Sequence, residues 1–128
     1  MSERSAADWG EVAVRLHGWR WRRGMTTTSG ATAMSDDLSG VVEWHRAGVN
    51  DWVWAAADEG EGPDVDDPAT GWAMCGLLGP GWTITPLDGG YTVHKRCVPG
   101  EPGIWLGRGP DIGRAAVAAA EAAGGWSP

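Results

Sequence analysis

Trp82-Thr83-Ile84-Thr85-Pro86-Leu87-Asp88-Gly89-Gly90-Tyr91-Thr92-Val93-His94-Lys95-Arg96-Cys97 is the stretch that decides the fold. Apolar and polar residues alternate on both sides of Asp88-Gly89-Gly90, the pattern of two strands joined by a tight turn. Beyond Pro99-Gly100-Glu101-Pro102-Gly103, Ile104-Trp105-Leu106 adds a third short strand, and Gly107-Arg108-Gly109-Pro110 reads as a tight turn. Asp111 then caps a helix in which Ala115, Ala116, Ala119, Ala120 and Ala123 recur at helical spacing, until Gly124-Gly125 stops it. Side chains this small let a helix lie close on a sheet. The tail therefore reads β-β-β-α, and the chain as an α+β fold in which helices pack on a small antiparallel sheet.

Working back from that tail, Asp67-Pro68 is a strong helix start, a capping carboxylate followed by proline at the first helical position. The helix is expected from Pro68 to Leu78 with Trp72, Cys75 or Gly76, and Leu78 inward, and Gly79-Pro80-Gly81 ends it. Gly71 and Gly76 each weaken it by about 1 kcal/mol relative to Ala, so it depends on packing. Val41-Val42-Glu43-Trp44 and Trp52-Val53-Trp54-Ala55 read as two strands joined through residues 47–51. Residues 26–40 and 58–67 read as loops or connectors, the first small and polar, the second acidic with too little apolar content to fold by itself. At the N-terminus Ser5-Ala6-Ala7-Asp8 is a capping-box start, with Trp9, Val12, Ala13 and Leu16 on one face and Gly18 as the stop. In Trp19-Arg20-Trp21-Arg22 the period changes to two, which predicts a short strand with indoles on one side.

The chain of 128 residues suits a single domain covering 1–128. Ten Trp stand beside one Tyr and no Phe, so indole is the main large core filler. No apolar run approaches the roughly 20 residues needed to span a bilayer. Met1-Ser-Glu-Arg does not lead into a signal-peptide core, and the expected location is the cytoplasm. The net charge of -7 is unevenly placed. Residues 1–23 balance at +2, residues 36–67 carry ten carboxylates against Arg46 alone, and residues 68–128 are neutral. General nucleic-acid binding needs a broad positive surface, which this balance opposes. An acidic strip either meets a basic protein surface or keeps the chain in solution. Cys75 and Cys97 read as buried, reduced thiols.

From Pro63 to Ala123 the chain holds Pro-Asp-Val-Asp-Asp-Pro-Ala-Thr, a short apolar helix, a Trp-started strand, Gly-Gly-Tyr-Thr-Val and a closing Gly-Pro-Asp-Ile-Gly-Arg-Ala-Ala-Val helix. That order, with the upstream run from Leu16 to Met25, is similar to small phage and prophage proteins of the phage ABA-sandwich domain family. The resemblance covers about two thirds of the chain and leaves 26–62 unmatched. It implies an α-β-α layered domain, a host cell that is infected or lysogenic, and no catalytic residues to carry over. The middle helix is shorter and richer in Gly than the family pattern.

No sequence of a known reaction is present: Gly-x-Ser-x-Gly, His-Glu-x-x-His and phosphate-loop patterns are all missing. His94 and Cys97 are three apart in a strand and face opposite sides, which is poor zinc geometry. Asp64, Asp66 and Asp67 offer oxygen ligands but lack the spacing of a calcium loop, and a capping acidic turn explains them. Gly107 to Pro110 precedes a helix N-terminus where an anion could sit, but Asp111 already occupies that position. No metal or other cofactor is expected.

Two binding surfaces remain. Glu43, Trp44, Asp51, Trp52, Trp54, Asp58, Glu59 and Glu61 form an acid-rimmed, Trp-rich set of the kind found at protein contacts, unless those rings fill a second small core. Arg20, Arg22 and Arg23, with Lys95 and Arg96, form the alternative, a nucleic-acid face in which guanidinium groups lie beside indoles. The expectation is a non-enzymatic, phage-type accessory protein that binds a host or phage protein, in the manner of an inhibitor of a defence or nucleic-acid-handling complex (anti-CRISPR-like). A small nucleic-acid-binding domain is the alternative.

Overall fold

The computed structural model describes residues 4–37, 40–46, 52–56, 62–96 and 104–126, with 52–56, 96 and 104–105 described as backbone. Helix α1 (Ala6–Arg15) is followed by strands β1 (Thr32–Ala33), β2 (Val41–His45) and β3 (Trp52–Ala56). Helix α2 (Pro68–Leu77), strands β4 (Thr83–Leu87), β5 (Gly90–Arg96) and β6 (Ile104–Gly109), and helix α3 (Ile112–Ala123) complete the order. The fold is α+β, and β4-β5-β6-α3 is the β-β-β-α unit. The strands divide between two antiparallel three-stranded sheets, β1-β2-β3 and β4-β5-β6, where a single small sheet was expected.

Among the described residues the helix starts follow local chemistry. Ser5 Oγ accepts from the Asp8 N–H while the Asp8 carboxylate accepts from the Ser5 N–H, a complete capping box. Asp67 accepts from the Thr70 N–H with Pro68 at the first helical position, and Asp111 accepts from the Arg114 N–H. At the far end of α3, Gly124 adopts φ 85°, the left-handed conformation that closes a helix. Helix α1 ends at Arg15, with Leu16 as its cap, so Gly18 (φ 85°) turns the chain one residue beyond the position a stop residue would take.

Strand β6 runs through Gly107 to Gly109, so the turn expected at 107–110 is a continuation of the strand. The cause is packing. Gly107 pairs with Val93, which pairs with Ile84, and this face lies under α3. A Cβ on Gly107 would fall on the backbone of Ala115 and Ala119, so only hydrogen lets α3 sit there. Ala115, Ala116, Ala119 and Ala120 are all fully buried.

Residues 19–22 are not a ladder strand. They are tied at separate points, with the Trp19 N–H donating to Leu16 O (3.3 Å) and the Asp37 N–H to Trp21 O (2.8 Å). The expected alternation of burial survives without the ladder: Trp21 is buried and Arg20 and Arg22 are half-exposed. Residues 26–40, expected as loop, contain β1 and the bridges Thr26↔Thr32 and Thr27↔Pro63. Of the 58–67 connector, 62–67 is anchored, with Pro63 and Val65 buried, and 58–61 lies outside the described residues.

One apolar cluster joins both halves of the chain. Its indoles pack in a chain: Trp44 edge to face against Trp21 at 4.9 Å between centroids, Trp21 edge to face against Trp19 at 5.4 Å, and Trp19 tilted at 60° against Trp126 at 5.7 Å. Trp126 Nε1 donates to Ala13 O (2.9 Å) and its N–H to His17 O (2.6 Å), which fastens the C-terminus to α1. Such pairs add about 0.5–1.5 kcal/mol beyond area burial.

Candidate functional site

The turn at Gly24 (φ 96°) places Met25 in the core and leaves Arg22 and Arg23 outward. Asp36, just beyond β1, holds this turn. Its Oδ1 accepts the Arg23 backbone N–H at 2.8 Å and pairs with Arg22 Nε at 3.4 Å. Facing the two arginines is one side of α2, with Trp72, Ala73 and Gly76. These six residues line an open groove of about 440 Å³. A Cβ at Gly76 would meet nothing within 4 Å, so this wall is left unfilled. Trp72 is 51% exposed, and its ring makes an edge contact with Tyr91 (6.4 Å, 81°). The groove offers two guanidinium groups, one carboxylate and one broad apolar ring, a set that suits a side chain with both charged and apolar parts.

Trp72 was expected to point inward. Helix α2 is apolar on every side, so helical spacing does not select its buried face. The buried set is Thr70, Gly71, Met74 and Leu77, with Leu78 behind them. The usable signal was Gly71. Its missing side chain admits the close approach of α3, where an added Cβ would stand 2.7 Å from the Gly113 N, and the opposite face then carries Trp72 and Gly76.

Of the acidic contact set, only Glu43 and Trp44 have described side chains. Trp44 is a buried core ring packed on Trp21, which removes it from any surface contact, and Glu43 is half-buried. Trp52 and Trp54 lie on β3, paired with His45 and Glu43, and their side chains fall outside the described residues. Asp51, Asp58, Glu59 and Glu61 also lie outside them. Of the cationic set, only Arg22 and Arg23 line the groove. Arg20 donates to Gly18 O (3.4 Å), Lys95 is half-buried on β5 and Arg96 follows it on the same strand.

The remaining acids of the 64–67 turn serve the fold. Asp67 Oδ2 accepts from the Thr70 N–H (3.0 Å), Thr70 Oγ1 (2.7 Å) and Thr26 Oγ1 (3.1 Å), tying the 26–33 hairpin to α2. Arg114 bridges Asp66 (2.6 Å) and Asp111, and hydrogen bonding to these two carboxylates raises its pKa against desolvation. Cys75 is a free, half-buried thiol that burial pushes up to about 11. Among the described residues no group of three or more His, Cys, Asp or Glu could hold a metal ion. Nor is any described helix long and apolar enough to cross a membrane.

Comparison with known proteins finds no matching family model, no matching characterised protein and no matching solved structure.

Proposed function

We propose that this chain is a non-enzymatic accessory protein of the phage type that acts by binding another protein, and that its contact is the groove between Arg22-Arg23 and α2. The observation that supports this reading is Trp72, a large indole left 51% exposed beside two arginines and a cavity. Trp and Arg are the residues most enriched where protein contacts concentrate their energy. The contact thus moves from the Trp44 side, where the ring is in the core, to the Trp72 side. The acidic block of residues 36–67 favours a partner that also carries a basic surface, which it would meet outside the groove. Inhibition of a host defence or nucleic-acid-handling complex is the concrete form proposed, and it draws on that charge balance and on the family resemblance.

Affinity capture from host and infected-cell lysate, with and without nuclease, tests this reading against the Trp72→Ala variant. A nuclease-resistant protein held by the native chain and lost by Trp72→Ala is the expected result. The second reading, nucleic-acid binding, is favoured by one observation: two guanidinium groups share the groove with an exposed indole. Capture abolished by nuclease, with a steep fall in binding as salt rises, would establish it instead.

A further inference from the structure

We infer that the groove recognises a carboxylate-bearing side chain of its partner lying next to an apolar one, the carboxylate on Arg23 and the apolar group on the Trp72 face. The inference rests on the protein-binding reading above and names what that partner presents.

Three observations carry it. The first is the difference between the two arginines. Arg22 is already engaged by Asp36, whereas Arg23 is exposed and its guanidinium has no hydrogen bond or ion pair among the described residues. The second is Asp36 itself, which shows how a carboxylate sits at this turn: one oxygen takes both the Arg23 backbone N–H and Arg22 Nε. A partner carboxylate meets the same donor-rich turn from the open side, where Arg23 supplies a planar fork of N–H groups suited to two-point binding. The third is size and charge. A groove of about 440 Å³ with a single indole accommodates a few side chains. A single strand of nucleic acid needs successive stacking rings and a longer positive track than this groove offers, with one indole and two arginines of which Arg22 is already paired to Asp36.

Nitrogen–proton NMR titration of the full chain distinguishes the outcomes, because the Trp72 indole N–H and the arginine Nε–H report directly on the groove. Three probes are used: an acetylated, amidated Asp-Phe-Asp-Leu peptide, its Asn-Phe-Asn-Leu counterpart, and a short thymidine oligonucleotide. The expected result is that only the acidic peptide shifts the Trp72 and Arg23 signals. Arg23→Glu removes at least nine tenths of the affinity while the remaining spectrum keeps its dispersion. Asp36→Asn retains an oxygen for the Arg23 backbone N–H but removes the competing charge, and strengthens binding about two- to five-fold, the range of a single exposed ion pair. Equal shifts from the acidic and the Asn peptides would overturn carboxylate recognition while leaving the groove as a protein contact. Shifts from the oligonucleotide alone would overturn both readings, and no shift from either peptide would overturn this inference.

Discussion

Gly107→Ala is the sharpest test of how α3 sits on its sheet. Gly107 lies in β6 opposite Val93, on the face covered by α3. An added Cβ would collide with the Ala115 O and Ala119 N and stand 2.7 Å from the Ala119 Cα. All three are backbone atoms of a helix, so no rotamer change relieves the clash and α3 must lift. Overpacking of this kind costs about 1–3 kcal/mol, and the upper end applies where the obstructing atoms are backbone. Replacing a strand Gly by Ala returns about 0.5–1 kcal/mol of backbone entropy. The net is a loss of about 2 kcal/mol, or a Tm lower by about 8 °C for a chain of this size. Gly76→Ala is the matched control. It is the same chemical change at a helical site with nothing within 4 Å, and it raises stability by about 0.5–1 kcal/mol. Thermal melts and urea titrations followed by circular dichroism measure both. Two shifts of the same sign, or a Gly107→Ala change under about 0.5 kcal/mol, would refute the close seating of α3.

Three further outcomes are expected. Trp21→Ala empties a buried site inside the indole chain and lowers stability by about 3–5 kcal/mol, whereas Trp72→Ala changes the urea midpoint little, so folding and groove binding separate at two residues of one type. Asp67→Ala removes the α2 cap and the acceptor shared by the Thr26 and Thr70 hydroxyls, which keep each other as partners; a loss of about 1–2 kcal/mol is expected, and one below about 0.5 kcal/mol would show that Asp67 adds little to the link between hairpin and helix. Burial raises the Cys75 thiol to about 11, so the folded chain holds its proton where the unfolded chain releases it. Its contribution is complete below pH 9.0, falls as pH rises to about 11, and amounts to on the order of 1 kcal/mol once partial exposure is allowed for. Urea midpoints across that range in the native chain and in Cys75→Ala check it, since the decline attributed to this thiol disappears from the variant.

What was readable in the sequence is what is decided within a few residues. Ser5, Asp67 and Asp111 cap helices because each carries its acceptor within reach of the N–H three residues on. Asp88-Gly89 turns one strand back on the next because Gly89 takes φ 81°. Misread elements depend on partners distant in sequence. Residues 19–22 alternate like a strand, but the 33–37 segment meets their backbone through the Asp37 N–H on Trp21 O and not through a ladder. Gly107 and Gly109 look like turn residues until α3 is laid over them, where both admit the helix backbone. The 64–67 turn looks like a solvated acidic linker, yet Val65 is buried against Gly113 and Asp66 meets an arginine 48 positions away.

The groove belongs to this second kind, and the energetics of its indole explain why it bears on function. Trp21, Trp44 and Trp126 are each less than a tenth exposed, which is what a chain with no Phe must do to build a core. Trp72 makes an edge contact with Tyr91 and shows half its surface to solvent. A Trp side chain carries up to about 250 Å², so on the order of 100 Å² of it is uncovered, a forgone stabilisation of about 2–3 kcal/mol. Helix α2 could have recovered this by turning Trp72 toward α3, but Gly71 occupies that seam and an added Cβ there would stand 2.7 Å from the Gly113 N. The same packing that brings α2 against α3 therefore forces Trp72 out, directly opposite Arg22 and Arg23. A partner that covered the ring would recover that 2–3 kcal/mol, roughly a factor of 30–150 in Kd before the costs of association.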